Sequence, residues 1–192
     1  MSRATMPSSE SGRTEPTTPG IGRTDPIAAG RVPPQDLEAE MSLLGSMLLD
    51  KDAIGLVLQI ISRDQAHRLY RPDHRLLFET LLDLYEENKP IDIVILEDEL
   101  RRRGQLDAIG GRDYLIDLAN SVPSSANSEY YAHIVRDKSF LRDLIQCSAE
   151  ILQTAYDHRE PAAQLLDDAE KRLFAVTEQR IGQQVVSIHD CL

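Results

Sequence analysis

SANSEYYAHIVRDKSFLRDLIQCSAEILQTAYD, residues 125–157, runs without a single proline or glycine. Tyr130, Ile134, Leu141, Leu144, Ser148, Ile151 and Ala155 fall on one helical face. Tyr131, Val135, Ile145 and Leu152 widen that face into a broad apolar stripe. A helix of about thirty residues spans roughly 45 Å at 1.5 Å per residue. Asp157-His158-Arg159-Glu160 reads as a turn, and Pro161 opens a second helix with Leu166, Ala169, Leu173 and Val176 on one side. The segment 123–180 is therefore expected to be a helical hairpin. Its stripe is longer than one partner helix can cover, which makes the hairpin a candidate oligomerisation element.

Upstream, the chain reads as short helices joined by turns. Asp36 caps a helix through Leu49, with Leu37, Met41, Leu44 and Leu48 on one face. Asp50 caps a second, Lys51 to Ile61, and Ser62 to Arg71 reads as a polar connector. Pro72 suits the first turn of a third helix, where its missing N–H is not needed. A fourth runs to Arg103, with Gly104 as its left-handed end. Gly110-Gly111 is a turn before a short helix, Arg112 to Ala119. Leu-, Ala- and Glu-rich stretches at helical spacing make the chain all-α, a small helical head (35–122) followed by the long hairpin.

Residues 1–34 are different in kind. They hold six of the ten prolines, four of the ten glycines and nine Ser or Thr. Such a stretch buries too little apolar surface to offset its ordering entropy and is expected to be disordered. The whole chain carries a formal charge of −11 with a pI near 4.9. Binding nucleic acid by counterion release needs clustered Lys and Arg, so this chain is a poor candidate for gripping phosphates. Cys147 and Cys191 are too few for a disulfide framework or a zinc site and fit a reducing, cytoplasmic setting. No apolar run reaches the roughly twenty residues of a membrane span.

Catalytic motifs are missing. No glycine is followed by lysine, so no phosphate-binding GxxxxGK[ST] loop is present, and no HExxH or paired CxxC occurs. His67 and His74 flank an arginine-rich connector and read as solvated or capping residues rather than metal ligands. His133 falls on a polar face, and Cys147 beside the stripe reads as a small buried hydrophobe. Arg101-Arg102-Arg103 complement a helix C-terminus. The candidate site is an interface: Tyr130, Ile134, Leu141, Leu144, Ile145 and Ile151, with no catalytic, cofactor-binding or metal-binding residue.

Several strings resemble a known family. PPQDLEAEMSLLGSMLLD (33–50), YRPDHRLLFETLLDLYEENKPIDIV (70–94) and LEDELRRRGQLDAIGGRDYLIDLANSVPSSANSEYYAHIVRDKSFLRDLI (96–145) follow one another as in DnaB-type bacterial replicative helicases. Tyr70, Pro72, His74, Arg75 and Phe78 resemble one family run, with Phe78 entering the core. Pro90-Ile91-Asp92, Gly110-Gly111, the group Asn127, Tyr130, Tyr131, Ala132, and Arg142 resemble others. Ile95 stands where the family usually has Thr, which leaves Asp92 to start the fourth helix. Leu69 stands where Phe is usual, and the connector is slightly long.

The resemblance implies the amino-terminal collar of a hexameric helicase, in which hairpins pair and the collar docks primase. A helicase loader is a further implied partner. ATP and Mg2+ would belong to a motor domain beyond Leu192, and residues 181–192 look like the start of a linker toward it. Two other readings use the same residues: a stand-alone helical adaptor or modulator of a full-length helicase, and a metal-dependent hydrolase built on His67, His74 and nearby carboxylates.

Overall fold

In this computed structural model, residues 30–157 and 161–181 are described. The expected disorder of 1–34 and the expected linker at 181–192 lie almost wholly outside them. Every regular element among the described residues is helical: α1 (Leu37–Leu49), α2 (Lys51–Leu58), α3 (Pro72–Glu86), α4 (Ile93–Arg102), α5 (Gly111–Asn120), α6 (Ser128–Asp157) and α7 (Ala162–Ile181), with short 3-10 turns at Arg63–Arg68, Asp107–Ile109 and Ser125–Asn127.

Local chemistry sets the boundaries. Asp36 Oδ1 accepts the Ala39 N–H at 3.0 Å and starts α1. Asp50 ends α1 through its N–H to the Ser46 carbonyl. Its side chain then caps α2 by accepting from the Asp52 N–H at 2.9 Å. The second oxygen of Asp50 accepts from Ser125 Oγ at 2.9 Å, so this one side chain also ties the head to the approach to α6. Pro72 occupies the first turn of α3. Asp92 Oδ1 accepts from the Ile95 N–H at 2.9 Å and starts α4 without a threonine. Gly104 takes φ +66°, and the next N–H, of Gln105, reaches back to the Leu100 carbonyl at 2.8 Å, closing α4.

Two expectations need correction. The second helix ends at Leu58 rather than Ile61, because a tight turn follows in which the Ile60 and Ile61 N–H groups both bond to the Val57 carbonyl. Ile60 and Ile61 stay buried through that turn. The connector 62–71 is not simply polar: Ala66, Arg68 and Leu69 are buried within it. The 3-10 turn lies between α3 and α6 and lends those side chains to the core.

α1 is the central element, packed against α2, α3, α5 and α6. Its Leu43, Leu44 and Met47 share one buried core with Ile54, Val57, Leu77, Phe78, Leu81, Leu96, Leu115 and Leu118. The α1 and α5 backbones come close at Gly45, where a Cβ would stand 2.5 Å from the Leu118 carbonyl oxygen. The first half of α6 closes this core with Ala132 and Val135. Beyond Phe140 the only buried side chain of α6 is Cys147, and α6 continues alongside α7.

Candidate interaction surface

Helical geometry divides the α6 stripe. Ala132, Val135 and Ser139 recur every three or four residues and turn toward the head. Tyr131 and Ile134 lie against the same core, partly buried. Tyr130, Leu141, Leu144 and Ile145 fall outside that contact and are 67, 49, 43 and 52% exposed. The six interface candidates thus separate into three environments: Ile134 at the head, Ile151 between the two hairpin helices, and the other four facing solvent.

The α6–α7 contact differs from the expected one. Leu166, Leu173 and Val176 are expected to cover part of the α6 stripe; Val176 is half-buried, but Leu173 is exposed, and Leu166, though it lines the space between the helices, is 70% exposed. The small residues Ala155, Ala162 and Ala169, with Ile151, Thr154, Leu165 and Leu166, line an open groove of ≈340 Å³ between the helices. Leu141, Leu144, Ser148, Ile151 and Ala155 are spaced three and four apart, the repeat of a coiled-coil seam. Their face is continuous with that groove. Phe174 and Tyr156, both exposed, add apolar area that the sequence reading did not single out. They lie one residue outside the heptad positions, so periodicity gave no signal for them.

The head holds a buried polar centre. His74 is fully buried, with Nδ1 2.6 Å from Glu40 Oε2 and Nε2 2.6 Å from the Tyr114 hydroxyl. Glu40, also buried, accepts from the backbone N–H groups of Tyr70 and Arg71. His74 is therefore neither solvated nor a cap, as the sequence had suggested; it bridges α1 and α5 from α3. His67, by contrast, is exposed. Burial pushes the Tyr114 phenol upward; Arg71 opposes the rise, and Asp73 and Glu40 reinforce it. Burial also acts to raise the Asp73 carboxyl, but the Arg71 hydrogen bond and charge hold it below the usual range. No group of three or more His, Cys, Asp or Glu among the described residues is placed to hold a metal ion.

The run Arg101-Arg102-Arg103 is matched to acids rather than offered to phosphates. Arg101 pairs with Glu97, Arg102 with Asp98 and Glu99, and Arg103 with Glu99 at 2.7 Å and Asp83 at 2.6 Å. His133 is exposed, as expected for a polar face, and burial together with Arg136 lowers its pKa. No helix of the described residues is long and apolar enough to cross a membrane.

Residues 32–137 match the profile of the DnaB-like helicase N terminal domain. The chain is 43% identical over 165 residues to the replicative DNA helicase DnaB of Mycobacterium leprae, covering 85% of this chain and 27% of that protein. It is 37% identical over 162 residues to the replicative DNA helicase DnaC of Bacillus subtilis, covering 84% of this chain and 35% of that one. The chain thus spans about a third of the length of these relatives or less. Among solved structures, the N-terminal domain of DnaB helicase from Mycobacterium tuberculosis superposes with a TM-score of 0.69 at 41% identity, over 75% of this chain and 99% of that one. A DnaB-like replicative helicase, solved in a study of its interactions with primase, shares the fold with a TM-score of 0.58 at 19% identity, over 82% of this chain and 35% of that one.

Proposed function

The chain belongs to the family of DnaB-like helicase amino-terminal domains, and from that premise we propose that it serves as the association and primase-docking collar of a replicative DNA helicase. Unwinding, ATP and Mg2+ belong in this reading to a motor outside these residues, working in the cytoplasm. Copies pair through their hairpins within a hexameric ring, and primase docks on the collar; a helicase loader is a further partner.

The observation that carries the reading is the open apolar seam of α6 and α7. Tyr130, Leu141, Leu144, Ile145, Leu166 and Phe174 are all exposed on the hairpin. Soluble monomers seldom leave so many large apolar side chains of one hairpin in water. Fully burying one such side chain contributes on the order of 1.5–3 kcal/mol, and these are about half exposed. Two copies therefore gain enough from several residues each to offset the association entropy at micromolar concentration.

Sedimentation at tens of micromolar tests this. The chain should be a dimer or larger, and Leu141→Asp or Leu144→Asp should yield monomers with unchanged helicity. The same two changes should weaken capture of the helicase-binding domain of primase. A chain that stays monomeric with its helicity intact would remove the seam as an interface.

A further inference from the structure

Arg142 stands on α6 between Leu141 and Leu144, but it points the other way. Its Nη1 donates to the Pro34 carbonyl at 2.8 Å and its Nη2 to the Arg68 carbonyl at 2.5 Å. The guanidinium lies 5.7 Å from the centroid of the Tyr70 ring. Pro34 is on the approach to α1, and Arg68 ends the 3-10 turn before α3, so one side chain joins three parts of the molecule 74 and 108 residues apart in sequence. Both bonds are charge-assisted, and the planar fork fixes direction as well as distance. Burial acts against the Arg142 charge, while Glu40 and Asp143 support it.

The contacts continue into the head. Tyr70, whose ring underlies Arg142, gives its backbone N–H to Glu40. Glu40 is bonded to His74, and His74 to Tyr114 on α5. On the hairpin side, Ala132, Val135 and Ser139 are buried, and Tyr131 and Ile134 lie partly buried against the core, all in the amino-terminal half of α6. They hold the near half of α6 and lie short of Leu141, Leu144 and Ile145.

We propose that Arg142 is a positioning residue, a latch that fixes the bearing of the hairpin on the head and so the direction in which Leu141, Leu144 and Ile145 are presented to a second copy of this chain. The second half of this statement rests on the hairpin being the association surface; the first half does not. Without the fork, the Pro34 and Arg68 carbonyls lose their donors, and Cys147 is the one buried side chain left to hold α6 beyond Phe140, so the hairpin gains freedom to swing about its amino-terminal half.

The test is a head-to-hairpin distance distribution by paired spin labels on Glu79→Cys and Gln153→Cys. Both positions are exposed, and the background carries Cys147→Ala and Cys191→Ser. Labelled chain is diluted into unlabelled chain so that only distances within one copy are read. Arg142→Gln should broaden the distribution and weaken association roughly 2- to 30-fold, while leaving helicity intact. An unchanged distribution overturns the latch. A broadened distribution in a chain that is monomeric even without the Arg142 change supports the latch and removes the association reading instead. Should Arg142→Gln lose its helicity, Arg142→Lys decides: it keeps the charge without the fork, so an intermediate breadth supports the latch and the unaltered distribution overturns it.

Discussion

His74 bridges a buried carboxylate and a phenol, so replacing it leaves two polar groups behind instead of one. His74→Phe keeps a ring in the cavity but gives Glu40 and Tyr114 nothing to bond. Breaking one side of a buried, hydrogen-bonded pair typically costs about 3–5 kcal/mol. His74→Phe should destabilise by about that much in urea unfolding, against within about 0.5 kcal/mol for the exposed His67→Ala. Equal small effects would mean that the bridge contributes nothing. The sequence could not reveal this role, because Glu40 and Tyr114 are 34 and 40 residues away from His74. Gly45 was hidden for the same reason: a helix-interior glycine looks like a weakness until α5 is laid against it. Gly45→Ala places its Cβ 2.5 Å from the Leu118 carbonyl oxygen and 2.7 Å from Ser121 Oγ. The backbone oxygen cannot step aside, so the change should cost about 1–3 kcal/mol by thermal unfolding despite the better helix propensity of alanine.

At the scale of elements, Asp83 joins three of them. From α3 it accepts from Arg63 on the 3-10 turn and from Arg103 at the end of α4. Burial acts to raise its carboxyl, but the two arginines outweigh burial and hold it below the usual carboxylate range. A folded-state value below the unfolded one means that the stabilisation is complete above the unfolded value and is lost as pH falls through the folded one. Unfolding midpoints of the natural chain should therefore fall steadily as the acid range is entered, and Asp83→Asn should flatten part of that slope while lowering stability at neutral pH. Identical slopes would remove Asp83 from the acid response. The helices themselves were legible beforehand, because caps and breakers act locally: Asp36, Asp50, Pro72, Asp92 and Gly104 each stand where they were expected. The hairpin was legible from periodicity, yet its inner face was not. Periodicity marks which residues share a side but not how far two helices slide or roll, so it does not reveal that Leu166, on the wall of the α6–α7 groove, and Leu173 both stay exposed.

For the whole molecule, the formal charge of −11 and the apolar seam act in opposite directions on association. Two copies carrying that charge repel, and the repulsion reaches about 30 Å at 0.01 M salt but about 8 Å at 0.15 M. Burial of Leu141, Leu144, Ile145 and Leu166 does not depend on counterions, since none of them carries charge. The nearby ion pairs, Arg172 with Glu150 and Lys171 with Asp168, lie within one copy at 3.6 and 3.4 Å. Salt should therefore strengthen association: the dissociation constant should fall several-fold between about 0.01 and 0.15 M sodium chloride by equilibrium sedimentation, and then level off as screening is exhausted. An interface held by complementary charges would respond in the opposite sense and weaken throughout. If association weakens with added salt, the contact between copies is ionic and lies somewhere other than the α6–α7 seam. Leu144→Asp sharpens the comparison, because it adds a charge where the seam is meant to close. Its association should be weakest at low salt and recover only in part at 0.15 M, the lost apolar contact remaining lost when the repulsion is screened.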